Sequence, residues 1–449
     1  MGVDLRLPGG GEPTIAVVLA PSPLPRRRRP RLLAAAVALS VIATPLVLVA
    51  PATDTAAAAS KPKRTVESEL RRLRSARTIS AADLRAWRGV YREARRTARG
   101  LRKRSTARRE LDGVIANTEQ MARRRAITPS LAPSVFLTLQ VNRDWWPSRP
   151  VPPVGSRPTV PGSPLVWQYY AGEGLQIQWL GTFGLANALA TTKTPAKLEQ
   201  LRAIEDEALR LASRRAGGPA WQYLFDFGGG RPPWGSGMAQ VTGMQSLVRA
   251  TGKLGDDRYR ATALEAAQLI RHSSPTGARW KRSAGDHVLL YTFTRTRVLN
   301  AFLQAVSGLH EVAASTGDPT VATLYRRAER QLRVELPQYD TGRWTRYSLG
   351  GTNATVSYHT LVRDLTRGLC RALEADALAY AAGQPVAGGA EPPSAAIYCD
   401  AAERFTRYLK RTPLGPRATT RAAAGPLAPP PGAPLADPAA HLGPRVAQP

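Results

Sequence analysis

The reactive groups in this chain are Cys370, Cys399, five histidines and a thin scatter of acids. The histidines do not cluster, and two cysteines cannot build a four-cysteine zinc site. No strong Asp/Asn cluster marks a site for a divalent ion, so no metal ligand is assigned and metal dependence stays open. A Gly-rich phosphate loop, a G-x-S-x-G elbow and an H-E-x-x-H pair are all missing, which removes support for nucleotide hydrolase, serine hydrolase and zincin chemistry. A glycoside hydrolase needs two carboxylates across the scissile bond. The acids near the distinctive strings are chiefly Asp226, Asp286 and Asp340, so that chemistry ranks low. A nucleophilic cysteine lacks a nearby His–acid arrangement. Aromatic rings remain. Tyr169-Tyr170 with Gly172 and Gly174 reads as a turn whose rings either stack on sugars or pack, and Trp179 and Trp234 share that choice. Met238-Ala239-Gln240 opens a helix with a core stripe, from which Gln240 reaches toward a cleft.

The elements that would hold these groups are mostly helices. Met238, Val241, Met244, Leu247 and Val248 mark one apolar stripe. Val298, Leu299, Phe302, Ala305, Val306, Leu309 and Val312 mark another. From about Leu175 to Leu409 such patterns follow one another, broken by Gly, Pro and Asp, while strand alternation is scarce. The expected fold is mainly α, an α/α-barrel (toroid-like) domain over 165–412. Residues 128–164 are Pro-rich around Trp145-Trp146-Pro147 and read as an extended connector. Before them, 61–127 forms a basic helical module. Leu84, Trp87, Tyr91, Ala94, Ala98 and Leu101 make one stripe; Leu111, Val114, Ile115, Thr118 and Met121 make a second. A helical hairpin is the simplest reading. Its arginine face is either solvated or docks an acidic glycan or anionic envelope polymer, more weakly at high salt.

Arg26 to Arg29 precede an apolar run from Leu32 to Ala50 and an Ala-rich exit. Residues 1–60 therefore read as a secretory signal or a retained single N-terminal membrane anchor, and the body as exported. Residues 413–449, rich in Pro, Ala and Gly, read as a disordered tail. Lys plus Arg is 63 against 33 for Asp plus Glu, a net charge of +30 in 449 residues. That favours a polyanionic partner; export argues against nucleic acid. In an oxidising exterior, Cys370 and Cys399 on successive helices are expected to form a disulfide.

Four strings recur together: VWQYYAGEGLQIQWLGTFGLANAL at 166–189, WGSGMAQVTGMQSLVRA at 234–250, VLNAFLQAVSGLHEVAASTGD at 298–318, and LPQYDTGRWTRYSL with SYHTLV across 336–362. Together they resemble the C-terminal catalytic domain of the D-glucuronyl C5-epimerases, over about 165–410. The 61–130 module and the Asn142-Arg143-Asp144-Trp145-Trp146 string resemble those of exported actinobacterial members. The resemblance implies an α/α-barrel that turns D-glucuronyl into L-iduronyl units of a heparosan-like polysaccharide, with no redox cofactor. It leaves the oligomeric state open, a dimer included. Such an enzyme removes the proton at carbon 5, beside a carboxylate, and returns one to the opposite face. It needs a base, an acid and positive charge at the carboxylate. The resemblance places Tyr347 and Tyr358 at the catalytic cleft and Tyr291 as a third tyrosine. Phenols suit this work where nearby Arg lowers their pKa. Tyr170, Gln240 and His359 are the further contacts with substrate. Two departures stand out. Animal members carry Glu directly before the third tyrosine, where Leu290 is found, and Arg three residues after the first, where Gly350 is found. Arg346 and Arg363 are the candidate replacements for that anchor. An exported uronate-glycan-binding protein with an inactive cleft and a uronate lyase on the same scaffold are the rival readings.

Overall fold

The computed structural model describes residues 64–389 and 391–411. The expected signal and tail lie outside them. Thr65 and Ser80 close capping boxes that start α1 (Val66–Ser75) and α2 (Ala81–Gly100), and Ser105 caps α3 (Thr106–Arg123). The expected hairpin is thus three helices. The second stripe is buried throughout. The first is buried at Tyr91, Ala94 and Ala98 and half-buried at Leu84, Trp87 and Leu101. Val66, Leu70 and Leu73 supply the apolar face of α1.

The extended connector needs correction. Its first half is a helix, α4 (Ala132–Trp145), because Pro133 sits in the first turn, where a missing N–H is harmless. Val135, Phe136 and Leu139 are buried, and Phe136 stacks on Trp87 at 5.5 Å. Residues 128–131 and 146–164 lack helix and strand. Nor is the basic module a separate body, since the described residues form one unit. Buried Glu110 accepts from the backbone N–H of Gly172 at 2.7 Å and Gly174 at 3.1 Å. Buried Asn142 grips Leu175, giving its amide hydrogens to the carbonyl and accepting from the N–H, both at 2.8 Å. Both side chains pin the antiparallel ribbon β1 (Trp167–Tyr170) and β2 (Gly174–Ile177) onto these helices.

The remainder is a run of helical pairs. In the first three pairs one helix is buried nearly all round and the other is amphipathic, which is how an α/α layer divides into inner and outer helices; in the last pair the buried residues of the inner helix run from His359 to Leu373. The pairs are α5 (Trp179–Leu189) with α6 (Pro195–Leu211), and α7 (Gly237–Leu254) with α8 (Asp257–Ala266) and the short α9 (Gln268–Arg271). Next come α10 (Leu299–Thr316) with α11 (Pro319–Tyr339), and α12 (Val356–Ala381) with α13 (Ala396–Arg411). Inner helices α5, α7, α10 and α12 pack in that order, as an α/α-barrel requires. Small residues permit the approach: a Cβ on Gly243 would lie 2.8 Å from the Phe183 ring, and one on Gly308 2.5 Å from Val241. Three more ribbons link the pairs: β3 (Ser213–Arg215) with β4 (Gly218–Ala220), β5 (Gln222–Tyr223) with β6 (Trp234–Gly235), and β7 (Arg279–Lys281) with β8 (Asp286–Val288). Cys370 and Cys399 form the expected disulfide between α12 and α13, with Cα atoms 4.9 Å apart.

A Cβ on Gly113 of α3 would lie 2.0 Å from the Gly172 carbonyl oxygen. Neither backbone can yield cheaply. Gly113→Ala is expected to cost about 3 kcal/mol in urea unfolding. A loss under about 0.5 kcal/mol would show that the ribbon is not held against α3.

Candidate active site

The N-terminal turns of α7, α10 and α12, the face of α5 and the loops between them enclose a cavity of 590 Å³. Arg157 is the one charged side chain lining it, and no Asp, Glu or His joins it among the described residues. The backbone sets Arg157 in place: Gly155 donates to the Tyr169 carbonyl at 2.9 Å, and Tyr169 donates to the Ser156 carbonyl at 3.0 Å. Its Nε donates to Gln168 Oε1 at 3.1 Å. Gly181 makes room, since a Cβ there would lie 3.0 Å from the guanidinium carbon. Among the described residues Arg157 has no acidic partner. Burial lowers its pKa from the usual value, yet an arginine stays charged. A cation desolvated without a counter-ion is costly unless a ligand supplies the anion.

Phenols surround it. Tyr170 and Tyr223 feel the Arg157 charge and share Gln178, whose Nε2 donates to Tyr170 Oη and whose Oε1 accepts from Tyr223 Oη, both at 3.3 Å. Tyr223 stacks on Trp234 at 4.4 Å and Tyr291 meets the edge of Trp234 at 5.0 Å. Tyr358 lines the cavity and packs edge-on against Tyr347 at 5.0 Å. Tyr291 lies within the electrostatic reach of Tyr347, Tyr223, Tyr170 and Tyr358, so the three tyrosines of the resemblance meet in one place. Their protonation departs from expectation. No arginine lowers Tyr347, Tyr358 or Tyr291; burial raises all three, Tyr358 to about 12 and the others further. The Tyr347 hydroxyl and Asn300 Oδ1 are buried without a hydrogen-bond partner among the described residues.

The other expected contacts lie elsewhere, Tyr170 excepted. Arg346 borders a surface depression with Thr341, Arg343 and Asn353. Arg363 pairs with Asp364 at 2.7 and 2.9 Å. His359 is fully buried, stacks on Trp344 at 3.8 Å, donates from Nε2 to the Phe405 carbonyl and accepts from Thr345 at Nδ1. Burial keeps it neutral. Gln240 spends its amide on the carbonyls of Pro219 and Ala266. Leu290 forms apolar cavity wall, and Gly350 occupies an exposed turn at φ +78°. Arg157, Gln178, Tyr223, Asn300 and Gln304 were not anticipated. Tyr223-Leu224-Phe225-Asp226-Phe227 carried a signal, aromatics at period two. So did Asn300 and Gln304, polar at helical spacing on an apolar helix.

Residues 218–382 match the family described as D-glucuronyl C5-epimerase C-terminus. A D-glucuronyl C5-epimerase of Caenorhabditis elegans is 33% identical over 132 residues, 26% of this chain and 21% of that protein. An uncharacterized protein of Methanocaldococcus jannaschii is 25% identical over 151 residues, 32% of this chain and 49% of that one. The chain thus spans between a fifth and a half of the length of these curated relatives. Among solved structures, a sugar epimerase from a ruminal bacterium aligns over 53% of this chain and 61% of its own, with 12% identity and a TM-score of 0.37. A cellobiose 2-epimerase from Bacillus thermoamylovorans aligns over 52% and 76%, with 11% identity and a TM-score of 0.29. Tyr223, Tyr291, Tyr347 and Tyr358 fall inside the matched residues, whereas Arg157, Tyr170 and Gln178 precede them. The likeness to the D-glucuronyl C5-epimerase C-terminal family thus rests on residues 218–382.

Proposed function

We propose that the cavity is the active site of a carbohydrate epimerase that inverts carbon 5 of a uronyl unit, D-glucuronyl to L-iduronyl. The observation that carries this reading is Arg157, a guanidinium without a counter-ion inside a cavity walled by tyrosines. The uronyl carboxylate supplies the missing anion. Breaking the C5–H bond sends its electron pair into the carboxyl group as an enediolate, and Arg157 stabilises that charge. Of the phenols, Tyr358 is raised least and Tyr291 is held protonated more firmly. Groups whose environments separate their pKa values divide into base and acid. The Tyr358 phenolate takes the C5 proton and the Tyr291 hydroxyl returns one to the other face. The two phenols then re-equilibrate with solvent.

Incubation with heparosan, the polymer the family resemblance suggests, in deuterated water tests this by deuterium at carbon 5 and iduronyl signals in NMR. Tyr358→Phe is expected to lower exchange about 10²–10⁴-fold. With the base raised to about 12, the active phenolate is scarce at neutral pH, so exchange should rise about tenfold per pH unit from 7 to 9. A flat profile would remove Tyr358 as the base. The absence of any carboxylate or histidine from the lining favours, as second reading, a uronate-binding protein with an inactive cleft. Binding without exchange would establish that reading, and an unsaturated product would establish a lyase. Export is part of the proposal. The basic and apolar N-terminal pattern supports it, as does the Cys370–Cys399 bond, which suits an oxidising compartment.

A further inference from the structure

The cavity lining pairs a single cation with a long apolar wall. Thr159 and Gln200 are exposed and Pro164, Leu185 and Ala188 half-buried, so this side is the mouth. Leu361 and Leu365 of α12 also line the cavity. A heparosan-like chain brings a carboxylate on every second sugar, and each one desolvated needs its own cation. The lining has one. The 19 basic residues of 64–125 do not line it.

We infer that the site takes a single uronyl unit carried on an apolar aglycone, a uronosyl lipid or similar amphiphile, with the carboxylate on Arg157 and the aglycone along Pro164, Leu185, Leu361 and Leu365. The inference rests on the epimerase reading only for the identity of the head group. The lining is what selects the tail. Leu185 of α5 and Leu361 and Leu365 of α12 line the same cavity as Arg157, so an apolar chain leaving the sugar toward the mouth has hydrocarbon beside it. Each methylene buried there strengthens binding about fourfold.

The test is calorimetric titration of the full chain with octyl β-D-glucuronide, methyl β-D-glucuronide, octyl β-D-glucoside and a heparosan hexasaccharide, below the micellar concentration of the octyl sugars. Octyl glucuronide is expected to bind at least about 100-fold more tightly than methyl glucuronide. It should also bind about tenfold more tightly than octyl glucoside, a margin that Arg157→Met removes. Leu365→Asp should shrink the octyl-to-methyl ratio below tenfold. Equal binding of the methyl and octyl glucuronides overturns the inference, and so does equal binding of octyl glucuronide and octyl glucoside. If a second copy of the chain covers the wall instead, sedimentation will show a dimer that Leu365→Asp dissociates, and neither octyl sugar will bind. That outcome also overturns it. Carbon 5 exchange is scored separately on the same ligands. The expected binding without exchange supports the ligand class and sinks the epimerase reading. Faster exchange on the hexasaccharide than on octyl glucuronide sinks the ligand class and keeps the epimerase.

Discussion

Arg157→Met lowers kcat/KM for carbon 5 exchange by about 10³-fold and leaves the protein at least as stable as before. The first half follows from where charge develops. In the proposed epimerisation the C5–H electron pair ends on the carboxyl oxygens, and one positioned donor on such an oxyanion is worth about 10²–10³ in rate. Among the described residues that donor is also the only cation lining the cavity, which puts the effect at the upper end. The second half follows from what the free protein endures. Burial disfavours the charged guanidinium, and no acid answers it. Methionine keeps an apolar stem of similar reach and removes the desolvated charge, a gain of about 1 kcal/mol in urea unfolding. Arg157→Lys should fall between, because an ammonium cannot hold a carboxylate through two parallel bonds. An inactive variant that is also less stable would mean that Arg157 serves the fold through Gln168 and not the reaction.

The same residue shows where sequence reasoning stops. The stripes of α3, α7 and α10 were legible because each buries a face at helical period, and a period survives without any knowledge of neighbours. The Cys370–Cys399 pair was legible because its two helices were. Arg157 lies in a Pro-rich stretch with no period, and its position comes from the pairing of Gly155 and Ser156 with Tyr169, a contact across the fold. The helix α4 was masked by the same prolines, although Pro133 occupies the one place where a helix accepts it. Arg346 and His359 were attractive because they adjoin Tyr347 and Tyr358. Adjacency in sequence is a poor guide to shared direction. Arg346 is exposed while Tyr347 is half-buried against Tyr358. A helix turns about 100° per residue, so Tyr358 faces the cavity and His359 faces Phe405 of α13. The tyrosines' protonation was misjudged for this reason: the arginine beside them in the chain is not beside them in space.

A second buried ionisable group gives the other large expected effect. Glu205 of α6 is fully buried, and neither carboxylate oxygen has a hydrogen-bond partner among the described residues. The nearby Ser246 hydroxyl, which donates to the Gly243 carbonyl, offsets the burial only in part. Burial raises the Glu205 pKa to about 8, against an unfolded value near 4.5. The folded chain therefore holds this proton where the unfolded chain has lost it, so stability falls as pH rises from about 4.5 to about 8. Glu205→Gln keeps the shape and removes the titration. It is expected to stabilise the protein by about 3 kcal/mol at pH 8 and by less than about 1 kcal/mol at pH 5, read by urea unfolding at both. An equal gain at both values would trace it to packing, and no gain would place a counter-charge on Glu205. The contrast with Arg157 gives the reason for expecting a ligand at one and none at the other. A carboxyl sealed between helices neutralises itself by taking a proton. A guanidinium cannot shed one at any pH the fold survives, so its charge must be met from outside, and Arg157 opens onto the cavity through which an anion can reach it.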